Sequence, residues 1–201
     1  PLFILGIWRS GTTHLHNLLA QDDRYAYPTT YEVFFPHMFL STESWHASTL
    51  QSFMPPTRPM DNVKNGAAEP QEDEFAMAAV GLSSMLGLLA FPRTGDYYRR
   101  FLTLHDLTQA ELSAWQSAWM WFLRKLTLKH GRPLVLKSPA HTARIKQLLE
   151  LFPDAKFVHI HRHPHDVFQS TVHTWNKAYP LWALQKGSLS AETVIRDYVD
   201  I

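Results

Sequence analysis

The sequence predicts a three-layer α/β domain, a central parallel sheet flanked by helices, and three observations predict it. Three short apolar runs, at residues 2–7, 134–136 and 157–160, have the continuous character of strands buried on both faces. Each leads into a turn and then into a segment with helical apolar spacing. Strands that alternate with helices imply parallel pairing through right-handed crossovers.

The first run, Leu2-Phe3-Ile4-Leu5-Gly6-Ile7, meets the turn Arg9-Ser10-Gly11-Thr12-Thr13, after which Leu15, Leu18 and Leu19 recur at helical spacing. Residues 22–66 are rich in proline, aromatics and turn formers, and read as long loops and short helices over a site. A helix is predicted from Glu72 to about Ala90 and another from Thr108 to Lys129. Thr108-x-x-Glu111 forms a capping box there, and Gly131 stands at the stop. The stripe of Trp115, Trp119, Phe122 and Leu126 reads as core packing. Leu134-Val135-Leu136 leads into Lys137-Ser138-Pro139, and residues 140–152 carry Ile145, Leu148, Leu149 and Phe152 at helical spacing until Pro153. The third strand runs toward Arg162, and Pro164 suits the first turn of a last helix to about Ala178.

A chain of 201 residues makes one domain with a real core, here 1–201. With 19 basic and 18 acidic residues the net charge is +1, so no global field points to nucleic acid, and any anion site must be local. Cysteine is absent, which excludes disulfides and thiolate zinc sites. The apolar stretch 75–91 is interrupted by Gly81, Ser83, Ser84 and Gly87, and reads as a buried helix, not a membrane span. No export signal is seen, which favours the cytoplasm, although both chain ends read as cut from a longer protein.

Gly6-x4-Gly11 followed by Thr12-Thr13 reproduces most of a phosphate-binding P-loop, making the fold P-loop-type. Glycines let backbone N–H groups turn inward around an anion, and the following helix adds its unpaired N–H groups and positive dipole end. Thr12 stands where nucleotide kinases carry the lysine that neutralises β/γ-phosphates beside magnesium, which argues against ATP or GTP. Arg9 offers a planar, permanently charged fork instead. Lys137 and Arg162 stand near the ends of the other two strands, where open parallel sheets bind ligands, so three cations are expected on one rim. Ser170, eight residues past Arg162, offers a hydroxyl to the same phosphate, or is an incidental helix-surface serine.

Ile7-Trp8-Arg9-Ser10-Gly11-Thr12-Thr13 resembles the 5′-phosphosulfate loop of sulfotransferases that use 3′-phosphoadenosine 5′-phosphosulfate (PAPS). Phe157 through Ser170 resembles their 3′-phosphate motif, and residues 148–157 the approach to it. The Arg-Ser-Gly-Thr-Thr form is similar to the branch holding tyrosylprotein sulfotransferases and many bacterial enzymes. The resemblance implies that Arg9, Ser10, Gly11, Thr12 and Thr13 hold the 5′-phosphosulfate, that Arg162 and Ser170 hold the 3′-phosphate, and that Lys137 bridges donor and transition state. It also implies PAPS as cosubstrate and a hydroxyl or amine acceptor; no metal is required, because the fixed cations and loop dipoles supply the positive charge. Trp8 departs from the common proline, and Pro139 stands where the cytosolic branch has its catalytic histidine.

A base must take the acceptor's proton. Glu32 is the first candidate, since tyrosylprotein sulfotransferases carry an acid at a similar distance past the loop; its other reading is a structural ion pair. His141 is the second candidate, and the group Glu72-Asp73-Glu74 the third, although a charged helix start, where acids suit the dipole, is the better reading of that group. His159, His161, His163 and His165 raise zinc, but Arg162 and Pro164 interrupt them, and core packing with His163 near a phosphate is the better reading. Tyr27, Tyr31, Phe34, Phe35 and Phe39 line an apolar acceptor pocket or pack a lid. The rival functions are a small-molecule or nucleoside kinase and a non-catalytic nucleotide-binding module.

Overall fold

A computed structural model of the chain describes residues 1–61, 63–81, 83–186 and 191–201. Its sheet has three parallel strands, β1 (Leu2–Leu5), β2 (Val135–Lys137) and β3 (Lys156–His159), in the order β2-β1-β3. Leu2 lies opposite both Val135 and Lys156, so the carboxyl ends of all three strands point the same way. Both crossovers are long, as parallel pairing requires.

Helix α1 (Thr12–Leu19) follows β1 and packs against β1 and β2. The excursion from residue 20 to 134 contributes α2 (Thr30–Phe34), α3 (Phe39–Phe53), α4 (Glu74–Gly81), α5 (Gly87–Ala90), α6 (Gly95–Thr103) and α7 (Gln109–His130). A 3₁₀ segment, Pro139–Arg144, and α8 (Ile145–Leu151) connect β2 to β3, and α9 (Pro164–Trp182) and α10 (Ala191–Asp200) follow.

Helix α7 has the expected capping box: the Thr108 side chain accepts from the Glu111 N–H, and the Glu111 carboxylate accepts from the Thr108 N–H at 2.8 Å. Gly131 ends it in the left-handed region. Trp115, Trp119, Phe122 and Leu126 are buried together with Phe3, Leu5, Leu136 and Leu148, joining α7 and α8 to one face of the sheet. At about 25 cal/mol per Å² of apolar surface, aromatic residues of this size dominate the energetics of such a core.

Three local expectations need correction. The single helix over 72–90 is two: Ser84 donates to Glu74 Oε1 at 2.7 Å and accepts from the Leu86 N–H, so its hydroxyl competes with the helical ladder at the break. Helix α3 lies in the stretch read as loops; it buries only Phe39 and Thr42, so it shows no apolar stripe. Strand β3 lies at the edge of this sheet, and the histidines at 159, 161, 163 and 165 are exposed rather than packed in the core. Among the described residues no group of three His, Cys, Asp or Glu could hold a metal ion, and no helix is long and apolar enough to cross a membrane.

Candidate functional site

The loop after β1 is built for backbone N–H groups to face inward. Gly6 (φ 145°), Arg9 (φ 70°) and Gly11 (φ 108°) all lie at positive φ, and the Ser10 side chain folds back to donate to Ile7 O at 2.7 Å. Gly11 caps α1, and the N–H groups of that helix's first turn have no intrahelical acceptor. Thr12 is buried beneath the loop, and Thr13 faces a cleft.

That cleft has a volume of about 310 Å³. Its polar wall carries Arg9, Thr13, Arg58 and Glu72, and its apolar wall carries Trp8, Phe34, Phe75, Leu89, Trp175 and Trp182. Among the described residues Arg9 has two polar partners. Its Nε donates to Ser170 Oγ at 3.1 Å, and its Nη1 donates to Asp61 Oδ2 at 2.8 Å. Arg58 grips the same carboxylate from the other side, through Nε at 3.0 Å and Nη2 at 2.6 Å. Burial alone would raise the Asp61 carboxyl, but the hydrogen bonds from Arg58 and Arg9 outweigh it and hold the group at about 2.

Lys137 ends β2 opposite Ile4 and is almost fully buried under the cleft floor. Its Nζ donates to Glu72 Oε1 at 2.5 Å and lies 3.4 Å from Thr13 Oγ1. Burial lowers the pKa of this ammonium, and the carboxylate of Glu72 partly restores it. The next two acids extend the same contact along the chain. Asp73 lies 3.0 Å from His141 Nε2 and accepts from Trp119 Nε1 at 2.7 Å, and Glu74 accepts from Arg144 Nη1 at 2.7 Å. Glu72, Asp73 and Glu74 thus meet Lys137, His141 and Arg144 in register.

The expected residues are only partly brought together. Arg9 meets Ser170, Lys137 meets Thr13 and Glu72, and Arg9, Thr13 and Glu72 line the same cleft. Arg162 does not share this cleft: it is exposed at the edge of the sheet, 3.5 Å from Asp166. Glu32 does not line the cleft either. It is fully buried; Oε2 accepts from the Thr29 N–H at 2.7 Å, and Oε1 meets Lys129 Nζ and His130 Nε2, each at 2.7 Å. This is the structural ion pair, and it caps α2 as well. Burial pushes the Glu32 carboxyl up, and hydrogen bonds from His130, Lys129 and Thr29 reverse the shift and leave it low. His141 is buried in the core with Phe3 and Trp119 around it and does not line the cleft. Of the early aromatic group, Phe34 alone lines the cleft; Tyr31 and Phe39 are core residues. The Arg58–Asp61 pair carried no recognisable signal in the sequence.

Residues 1–200 match the family described as the sulfotransferase family. The chain belongs to that family. Omega-hydroxy-beta-dihydromenaquinone-9 sulfotransferase Stf3 of Mycobacterium bovis and its counterpart in Mycobacterium tuberculosis are each 40% identical to it over 203 residues. The match covers 100% of this chain and 52% of each relative, so the chain spans about half the length of the curated relatives it matches. Sulfotransferase STF1 from Mycobacterium tuberculosis superposes with a TM-score of 0.65 at 17% identity, over 100% of this chain and 56% of the other. Sulfotransferase STF9 from Mycobacterium avium superposes with a TM-score of 0.61 at 24% identity, over 90% of this chain and 47% of the other. Both likenesses show the sulfotransferase fold, as the strand–loop–helix pattern predicts.

Proposed function

We propose that this chain carries the donor site of an enzyme that moves a sulfuryl group from PAPS to a hydroxyl at the end of a long apolar molecule. The observation that carries the reading is the bond from Arg9 to Ser170, because it brings the loop after β1 against the helix after β3. The 5′ and 3′ anionic ends of a bisphosphorylated nucleotide need two such elements side by side. Asp61 supports the fit, since its carboxylate already occupies two guanidinium groups as an anion would.

In this reading Arg9, Ser10, Gly11, Thr12 and Thr13 hold the 5′-phosphosulfate, and Ser170 and Arg162 the 3′-phosphate. Among the described residues Arg162 meets one exposed carboxylate, that of Asp166 at 3.5 Å, and its exposed side chain would have to turn from there toward the ligand. The transfer is an in-line displacement in which charge grows on the leaving phosphate oxygen. Loop N–H groups are fixed in place to meet that charge, and Arg9 and Lys137 stand beside them as the nearby cations, which lowers the barrier. The apolar wall of the cleft favours an acceptor with a hydrocarbon or isoprenoid body, in keeping with the acceptor named for the relatives.

The test is a thermal shift of the chain with adenosine 3′,5′-bisphosphate, compared with ATP and magnesium. A ligand that binds the native state raises the midpoint. Stabilisation by the bisphosphate, with sulfate transferred from labelled PAPS to farnesol, is the expected result. Stabilisation by ATP and magnesium alone would replace this reading with the kinase.

A further inference from the structure

We propose that Glu72 is the general base of the transfer. The inference rests on the sulfuryl-transfer reading and names the group that takes the acceptor's proton. Of the acids and histidines considered from the sequence, Glu72 is the one whose side chain lines the cleft. Glu32 has both carboxylate oxygens committed, Oε2 to the Thr29 N–H and Oε1 to Lys129, and His141 is committed to Asp73 in the core.

Its carboxylate is held for the task. Oε1 accepts from Lys137, and among the described residues no hydrogen bond engages Oε2. The backbone beneath it is pinned independently of Lys137, because the next two side chains, Asp73 and Glu74, are anchored to His141 and Arg144. A base must be placed before it is useful, and this register places it. The charged groups around Glu72 are Lys137 from β2, Arg9 from the loop after β1, Arg58 across the cleft, and Asp73 beside it in the chain.

As the acceptor oxygen bonds to sulfur, its proton passes to Glu72 Oε2. The bond from sulfur to the 5′-phosphate oxygen breaks, and its electron pair stays on that oxygen as adenosine 3′,5′-bisphosphate leaves. Protonation removes the negative charge that holds Lys137 at Oε1. The ammonium is thereby released toward the leaving phosphate at the moment negative charge appears there, and Glu72 later returns its proton to water. One side chain so couples deprotonation of the acceptor to stabilisation of the leaving group.

The experiment compares wild type, Glu72→Gln and Glu72→Asp at saturating PAPS. Farnesol is the acceptor, and release of labelled sulfate to water is read in parallel. Thermal shift with adenosine 3′,5′-bisphosphate reports folding and donor binding for every variant. Glu72→Gln should keep the bisphosphate-induced rise while turnover falls by about 10²–10⁴-fold, the usual contribution of such a group. Glu72→Asp should restore part of the rate. Turnover by Glu72→Gln within about threefold of wild type would overturn the proposal while leaving the family reading intact, being far short of a base's contribution. Loss of bisphosphate binding in step with turnover would overturn it too, by showing that Glu72 serves only to hold Lys137. A wild-type chain that ignores the bisphosphate would defeat the sulfuryl-transfer reading itself.

Discussion

Arg9 donates to Asp61 Oδ2 at 2.8 Å, so the guanidinium that the first loop presents to the cleft already holds an anion. Asp61 reaches it from the chain excursion before α4, while Arg9 belongs to the loop after β1. In the proposed reading a donor nucleotide would displace this carboxylate to reach Arg9. Asp61→Asn should tighten binding of adenosine 3′,5′-bisphosphate by about two- to fivefold, the scale of a partly exposed ion pair. Arg9→Ala should weaken it by about tenfold or more, since hydrogen bonds to a charged group contribute about 1.5–3 kcal/mol. Isothermal titration of the two variants checks both. Unchanged affinity in Arg9→Ala would remove Arg9 from the donor site.

The same pair carries a pH signature. Asp61 sits at about 2 in the folded chain against an ordinary 3.8, so its contribution to stability is present above pH 3.8 and is lost as the pH falls toward 2. Asp61→Asn should lower stability by a near-constant amount above about pH 4 and flatten the fall between pH 4 and 2, so that the two curves converge at the acid end. Circular dichroism followed across an acid titration of both proteins measures the difference.

Glu32 makes the opposite kind of prediction, large in stability and small in catalysis. Breaking a buried ion pair by removing one partner costs about 3–5 kcal/mol, because the remaining charge is left uncompensated. Lys129 also meets Glu43, which softens the loss on its side. Glu32→Ala should lower the urea midpoint accordingly, while turnover per folded molecule stays near that of wild type. Lost turnover at full stability would return Glu32 to the role of base.

The strands, the loop and α7 were legible because each is specified locally. Gly6, Gly11 and Thr12-Thr13 define a turn within a few residues, and Thr108 with Glu111 defines a helix start. The site was legible only in part, because its decisive contacts are long-range. Glu72 lies 65 residues before Lys137, and Arg9 lies 52 before Asp61. No periodicity links such positions. An acidic triplet at 72–74 is equally the start of a helix, and only the fold reveals that it matches Lys137, His141 and Arg144 in register. The likeness of Glu32 to a base rested on distance along the chain, which says nothing about which way the side chain turns.

Gly6 should tolerate no side chain. At φ 145° a Cβ would lie 2.6 Å from the Ile160 carbonyl oxygen and 2.7 Å from Ser10 Oγ. That oxygen belongs to the backbone just after β3, so the strain cannot be relieved by a rotamer change. Gly131, at φ 62° with nothing within 4 Å of a built Cβ, is the natural control. Gly131→Ala should cost about 1–2 kcal/mol, the backbone penalty alone. Gly6→Ala should cost more than that and also weaken binding of the bisphosphate, because the loop moves with it. Equal losses in the two variants would mean that β3 does not crowd the loop.

His16 supplies a pH dependence that does not run through the cleft. Its ring is fully buried in α1, and burial, aided by the nearby charge of Lys137, lowers its pKa from 6.5 to about 3. The unfolded chain takes up this proton as the pH drops below 6.5, while the folded chain resists until about 3. The unfolded state thus binds more protons across that window, and stability falls with falling pH by about 1.4 kcal/mol per unit. Asp197 opposes it: burial raises its carboxyl from 3.8 to about 6 despite Arg99, so the folded chain gains relative stability between those values as the pH falls. The two effects cancel in part in the wild-type curve, and a difference measurement separates them. His16→Gln should therefore show a shallower loss of stability between pH 6 and 4 than wild type, by about 1 kcal/mol per unit, while Asp197→Asn should show a steeper one. Parallel urea titrations at pH 6, 5 and 4 decide it, and a His16→Gln slope equal to that of wild type would mean that the buried ring is already protonated in the folded chain.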